Sequence, residues 1–480
     1  MAGADLAPRR HYGVTLALLT VAGISFAVMQ TLVVPALPFF QREFDTSASW
    51  VTWIATGFLL SSSVLTPILG KLGDAYGKKR MLVIALGIFG LASLAAAAAW
   101  SLASLVVFRV IQGAGAAVFP LSFGIIRDEF PPEKIGLGIG TVSSVFGVGG
   151  GVGLVMSGVI IEHLTWHWLF LIGAIPVLAS TVLLALFVPE SPVKFPAKPD
   201  YLGGFALSLA LGTLLVAISE GSHWGWTSAG VLGLLAASAV LFATWVAIER
   251  RVPEPLVDLA TFARREMAAT NLTTLVMGFS MFSTFILLPN FVQIPLGLPS
   301  DIAAQIDYGF GASPVEVGLF FVPSSVAMMF AGPLAGALGN RFGNVLPLRV
   351  GIGFLVLSLV LLATVHDEPW TIYAWMVFMG IGLAFCFASL GVLVIAYSPP
   401  GETGVASGMN TIMRTIGAAL GAQVAAAIIS ANTLPGTAIP TESGFTTAFS
   451  ISAAGALVAL LPTFLLTRRP RVTQPIPEAA

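Results

Sequence analysis

Arg109 and Arg414 each stand deep inside an uninterrupted apolar run. A guanidinium at the centre of a membrane helix costs roughly 2.5–3.5 kcal/mol on insertion scales, so such residues mark substrate or ion pathways. Gln112 follows Arg109 by three positions on the same helical face, and Asn410 lies one turn before Arg414. The plainer alternative for each arginine is a structural one, bonded to carbonyls of an adjacent helix or packed beside Asn410. A second constellation is Gly70-Lys71-Leu72-Gly73-Asp74-Ala75-Tyr76-Gly77-Lys78-Lys79-Arg80. Gly70, Gly73 and Gly77 allow close approach and positive φ where the chain turns between helices. Asp74 is suited to cap a neighbouring helix N-terminus while pairing with nearby cations. Lys78, Lys79 and Arg80 also fit a plain role as topology anchors.

What is missing restricts the chemistry. No Asp or Glu falls near the middle of an apolar run: Glu162, Glu220 and Glu316 lie at outer helix ends, and Asp301 and Asp307 in a long outer loop. The chain has no nucleophile–base pair, no metal-ligand set and no nucleotide-binding loop. His163 and His167 have i, i+4 spacing but lack the intervening Glu of a zinc hydrolase. Cys386 is the single cysteine, so no intrachain disulfide forms. The expectation is a chain that is no enzyme, holds no cofactor or metal and makes no direct use of ATP. It lacks the filter-like repeat of a channel, and a net charge of −1 gives no reason to expect nucleic acid.

The elements that position these residues are membrane helices. Charged residues make up 9% of 480 against 56% hydrophobic, with mean hydropathy +0.93, whereas a soluble domain carries about 25% charged residues. Apolar runs of about 18 residues cross a bilayer core of about 30 Å as helices. Fourteen are read, at 14–38, 50–70, 80–99, 103–125, 136–160, 167–188, 202–219, 228–248, 268–291, 315–338, 346–365, 371–396, 404–430 and 445–466. The chain is thus an all-α integral membrane protein with the lipid bilayer as partner. The first run is too long for a signal peptide and has no convincing cleavage site, so it reads as a retained helix. Trp166, Trp168, Trp224 and Trp226 fall at span ends, as interfacial anchors do.

Charge placement tests the count. With the N-terminus inside, the inward segments hold Arg9, Arg10, Lys71, Lys78, Lys79, Arg80, Arg127 and Lys134, and later Lys194, Lys198, Arg250, Arg251, Arg264, Arg265, Arg341, Arg349, Arg468, Arg469 and Arg471. The outward loops hold Arg42. Cations are retained on the cytoplasmic side of short loops, so an even span count with both termini cytoplasmic, in the cell membrane, is expected.

The chain also repeats itself. Pro67, Gly70, Gly73 and Gly77 recur as Pro333, Gly336, Gly339 and Gly343 at an offset of 266; Pro131-Pro132 with Gly136 and Gly140 recurs as Pro399-Pro400 with Gly404 and Gly408 at an offset of 268. The simplest parse is 6+2+6: an N-terminal six-helix bundle over 1–190, linkers and two inserted helices over 191–266, and a C-terminal six-helix bundle over 267–480. Arg414 aligns with Phe146, and Asn340 stands in the second copy where the first has Asp74.

At these residues the chain resembles the major facilitator superfamily, in its fourteen-span drug:proton antiporter branch. The segment Gly70 to Arg80 fits the family's loop motif, Arg109 to Gly115 its embedded-Arg motif, and Gly147 to Gly158 more loosely its antiporter motif. The resemblance implies a conformational lock made by Gly70, Gly73, Asp74, Gly77 and Arg80, and a coupling or central polar role for Arg109 and Gln112, to which Arg414 is added as an embedded cation. It also implies export of small amphipathic compounds such as drugs or antibiotics, coupled to protons, by alternating access of two halves. The chain departs from the pattern in three places. Ala75 replaces the usual Arg after the loop acid, the fifth span has Gly153-Leu154 in place of Gly-Pro, and Met29 stands where fourteen-span relatives often have an acid. An uncoupled facilitator, an importer or a lipid-handling carrier of the same fold is therefore the rival reading.

Glycines in the fifth span, such as Gly149 and Gly153, make a smooth face for a packed helix. Phe26, Met29, Gln30, Trp53, Phe279, Phe282 and Phe285, on the first spans of each half, are the candidate lining of a substrate cavity. With two embedded cations and no midplane acid, such a cavity favours neutral or weakly anionic amphipathic substrates over multivalent cations. A monomer is expected.

Overall fold

The computed structural model describes residues 12–33, 35–46, 48–191, 200–295, 308–399, 401–435, 437 and 439–467. Arg9, Arg10, Lys194, Lys198, Asp301, Asp307, Pro400, Arg468, Arg469 and Arg471 lie outside the described residues. Among the described residues fourteen helices are long and apolar enough to cross a membrane. We number them α1 (Tyr12–Leu32), α2 (Ala48–Tyr76), α3 (Lys78–Ala97), α4 (Leu102–Glu129), α5 (Pro132–His163), α6 (Trp168–Phe187) and α7 (Tyr201–Trp224). The rest are α8 (Ala229–Glu249), α9 (Arg265–Val292), α10 (Pro314–Phe342), α11 (Val345–Thr364), α12 (Pro369–Tyr397), α13 (Thr403–Ala431) and α14 (Glu442–Val458).

Two local features escape an apolar-run reading. Pro35 to Pro38 does not extend α1: the chain turns there and forms a short helix, Leu37–Glu43, lying over the end of the first half. Phe40 of this helix and Phe44 just after it meet Trp166 edge to face, and Trp166 is 5% exposed and so acts as a packing residue rather than an interfacial anchor. Trp168, Trp224 and Trp226 are exposed. Within α4, residues Gly113–Ala117 tighten into a 3₁₀ turn. A Cβ on Gly113 would sit 2.4 Å from Ser61 Oγ, so the turn brings this backbone against α2.

Buried apolar residues form three clusters. One joins α1 to α6 and takes in Val392 and Ile395 of α12. The second joins α9 to α14. The third is smaller and holds α7, α8 and the following linker against α13, through Leu207, Leu211, Trp245, Leu256, Val405 and Met409. Glu249 fastens that linker by accepting from Trp245 Nε1 at 2.8 Å and from the Val257 N–H at 3.3 Å.

The two six-helix sets meet along two seams. In the first, α5 lies on α10 through reciprocal glycines: a Cβ on Gly140 would be 2.3 Å from the Gly332 carbonyl oxygen, and one on Gly336 would be 2.1 Å from that of Gly136. Gly149 and Gly153 sit on a different stripe of α5 and face Ala27 and Thr31 of α1. In the second seam α2 meets α13 toward the cation-rich end, at Gly70–Gly404 and Pro67–Gly408. Toward the opposite end α7 stands between them: Ser219 Oγ lies 3.4 Å from Thr56 Oγ1 of α2, and its carbonyl accepts from Gln423 Nε2 of α13 at 3.3 Å. The next residue, Glu220, is buried at 5% exposure. In a Cys386→Ala background, the pair Thr56→Cys and Ser219→Cys is therefore expected to cross-link on mild oxidation, read by mass spectrometry of the joined peptides. Failure of the joined peptide to appear would remove α7 from this seam.

Candidate functional site

At the cation-rich end the turn between α2 and α3 interlocks with the start of α13. Gly70 lies so near α13 that a Cβ would be 2.4 Å from the Gly404 carbonyl oxygen, and at Gly73 it would be 2.3 Å from Leu121 Cδ2. Gly77 has φ +115°, a conformation L side chains rarely adopt, and faces the Glu190 carboxylate. Asp74, 1% exposed, accepts from the Gly404 backbone N–H at 2.9 Å and lies 3.4 Å from Lys78 Nζ. Gly404 is the second residue of α13, so a carboxylate there meets the positive end of the helix dipole. Lys78 Nζ also donates to Asp128 Oδ2 at 2.7 Å, to which Ser191 Oγ donates at 2.5 Å.

Of the residues expected in the lock, the Arg80 side chain does not meet Asp74, which pairs with Lys78 and Gly404 instead. Because α3 begins at Lys78, the Arg80 side chain is carried to the exposed surface, while the backbone N–H groups of Lys79 and Arg80 each donate to Glu190 at 3.1 Å. The cation that reaches α13 is Arg127 of α4, which donates to Ser398 Oγ at 3.1 Å and to Thr403 Oγ1. In the second copy of the motif Asn340 donates to the Glu133 carbonyl at 2.6 Å, joining α10 to α5. Beside this cluster, burial together with the nearby Asp258 charge pushes the Glu402 carboxyl above its ordinary range.

The two embedded arginines differ. Arg109, 1% exposed, lies 4.4 Å over the Phe58 ring and spends its edges on the Ile54 carbonyl at 3.0 Å and Gln112 Oε1 at 2.7 Å. Gln112 Nε2 continues to Ser93 Oγ at 2.9 Å, and Ser93 Oγ lies 3.1 Å from Met29 Sδ. The Ser93 hydroxyl donates to the Phe89 carbonyl at 2.6 Å, so Met29 is a buried neighbour of this polar chain, packed on Gly173. Arg109, Gln112 and Met29 do not line the central cavity.

That cavity, about 120 Å³, lies between the two halves. Of the residues read from the sequence as a cavity lining, Phe26, Gln30, Phe282 and Phe285 border this space and Trp53 and Phe279 do not; Arg414, read as a central polar residue, borders it too. Met29 is excluded because it turns toward α3, and Phe279 because its ring lies against Gly455 of α14, where a Cβ would be 3.3 Å from Phe279 Cδ1. Lining residues that sequence reasoning missed include Phe58, Phe119, Phe146, Phe321 and Phe387. The repeat did carry one signal, since Phe146 is the internal counterpart of Arg414 and the guanidinium lies 4.4 Å over its ring. Phe119 stacks on Phe146 at 3.9 Å, and Phe387 follows at 5.3 Å. This layer separates the cavity from a smaller one of about 30 Å³, lined by Ser143, Ser407 and Asn410, toward the cation-rich end. No carboxylate lines either space among the described residues.

Comparison with known proteins agrees with this architecture. The family model described as Major Facilitator Superfamily matches residues 19–203, 200–422 and 273–480. The chain is 30% identical to the tetracenomycin C resistance and export protein of Streptomyces glaucescens, over 84% of this chain and 73% of that one. It is 28% identical to the multidrug resistance protein Stp of Mycobacterium tuberculosis, over 85% of this chain and 74% of that one. With multidrug resistance protein 3 of Bacillus subtilis it shares 29%, over 76% and 69%. In fold it is similar to the crystal structure of the human organic anion transporter MFSD10, with a TM-score of 0.66 at 16% identity, covering 95% of this chain and all of that one. On the matched length, the fourteen helices and the duplicated loop motif, this chain belongs to the Major Facilitator Superfamily.

Proposed function

We propose that the protein is a secondary active exporter of small amphipathic compounds of drug or antibiotic type, neutral or weakly anionic, working by alternating access in the cell membrane with both termini cytoplasmic. The observation that carries this reading is an aromatic cavity between two six-helix halves, closed toward the cation-rich end by the α2–α13 glycine contact and the Asp74 and Arg127 hydrogen bonds. Relatives named for resistance and export support the direction. The bundles over 1–190 and 267–480 are the two moving bodies, and the helices over 191–266 bridge them as part of a monomer.

The exchanged ion in this reading is a proton. Its carriers are the acids of the latch, Asp74 and Asp128, whose side chains are buried against Lys78 in this state and are wetted when the inner end opens. A carboxylate whose hydration alternates in this way has a proton affinity that alternates too. The uncoupled facilitator remains the second reading, favoured by one observation: the polar chain from Arg109 ends at Ser93 on the Phe89 carbonyl, beside the Met29 thioether, and among the described residues no acid meets it.

Inside-out vesicles with an acidified lumen separate the two. Adding a transported amphipathic dye is expected to drive dye uptake and collapse the pH gradient together. Uptake without a pH change would establish the uncoupled reading, and cellular accumulation on overexpression would reverse the direction.

A further inference from the structure

Arg109 and Arg414 make the same face contact and opposite edge contacts. Each guanidinium carbon lies 4.4 Å over a phenylalanine ring, Phe58 for Arg109 and Phe146 for Arg414. A cation–π contact uses the face of the guanidinium plane, while the five N–H donors point outward along its edges. Arg109 fills its edges with the Ile54 carbonyl and Gln112. Among the described residues Arg414 has no hydrogen-bond acceptor and no carboxylate partner, and it borders the central cavity. Phe387 lies 5.4 Å from the same guanidinium and the Phe146 ring stacks on Phe119, so the cation is held in place without being neutralised.

Donors elsewhere in the cavity point the same way. Among the described residues Ser62 Oγ is buried without a partner, and the Gln30 amide makes no hydrogen bond while lining the same space. The facing wall is flat and apolar, with Phe285 stacked on Phe321 at 5.1 Å and 11° between the planes. An unpaired guanidinium in an apolar chamber is costly until an anion reaches its edge, and a carboxylate fits that fork with two parallel bonds.

We propose that Arg414 is the anion anchor of the cavity, and that the transported class includes planar aromatic monoanions. The carboxylate or phenolate bonds the free edge of the guanidinium, and the ring lies against Phe285 and Phe321. This deepens the export reading and rests on the cavity being the substrate site. Arg414 is then a specificity-determining residue, whereas Arg109 is a positioning residue for α2 and α4.

The test uses the full-length protein in lipid nanodiscs and three matched probes: 2-naphthoate, its neutral amide 2-naphthamide, and 2-naphthylmethylammonium. Calorimetric binding is expected to favour naphthoate over the amide by at least tenfold and to place the ammonium last. In Arg414→Met the naphthoate-to-amide ratio is expected to fall to within about twofold of unity, and Arg414→Lys is expected to restore an intermediate preference. A wild-type protein that shows no preference for naphthoate, or no naphthoate binding up to millimolar concentration, overturns the proposal. So does an Arg414→Met protein that keeps the preference. Should Arg414→Met fail to fold, the lysine variant and the wild-type probe order still decide the matter. Vesicle export of a neutral dye is measured in parallel: its loss alone sinks the export reading, while a missing charge preference alone sinks the anchor.

Discussion

Asp74→Ala is expected to lower export by at least tenfold, while Arg80→Ala stays within about twofold of the parent. The contrast follows from geometry, since Asp74 is sealed against α13 and Arg80 faces outward. A hydrogen bond to a charged group is worth about 1.5–3 kcal/mol, and each 1.4 kcal/mol is about a factor of ten in the open–closed equilibrium. Losing the carboxylate also leaves the Gly404 N–H unpaired at a helix start and returns Lys78 to Asp128 alone. The outward-open state is then underpopulated and cycling stalls. Dye efflux from energised cells, normalised to membrane-inserted protein, measures the effect. Equal losses in both variants would mean that the loop acts through its charge count and not through its fit to α13.

Gly140→Val is expected to remove export nearly completely without preventing membrane insertion. A Cβ at 140 would be 2.3 Å from a backbone oxygen of α10, and backbone cannot move aside as a flexible side-chain tip can. The α5–α10 seam must therefore widen, and with it the Gly136–Gly336 contact near the cation-rich end. Gly353→Ala serves as the control, because nothing lies within 4 Å of a Cβ at that site on α11. There the change is expected to raise stability by about 0.5–1 kcal/mol through helix propensity alone. Transport and thermal unfolding of the two variants, measured side by side, separate a steric block at the seam from general intolerance of substitution. Wild-type export by Gly140→Val would mean that the seam is looser than its geometry states.

The helices were legible because hydrophobic length and the placement of cations are local quantities. The fourteen apolar runs and the fourteen helices agree to within a few residues at most ends. Pro35 to Pro38 was misassigned to the first span because apolar composition does not distinguish a span end from a short helix lying over it. Met29 shows a different limit: helical spacing places it beside Gln30, yet one residue of rotation turns it from the cavity into the Ser93 contact. The latch partners were hidden for a third reason. Arg127 meets Ser398 and Thr403, and Asp74 meets Gly404, across more than 270 residues of chain. The motif marks where such a contact forms but not which cation makes it. Only the internal repeat carries that kind of distance, and it is the repeat that aligns Phe146 with Arg414.

The central claim is that two halves pivot around one chamber, each end closing as the other opens. Spin-label pairs at exposed positions report it directly: Tyr76 and Phe342 at the cation-rich end, Trp100 and Trp370 at the opposite end. Pulsed electron–electron distances taken across pH, with and without a transported dye, are predicted to change in opposite senses at the two ends. Distances that stay fixed at either end, or that lengthen together, would contradict the account.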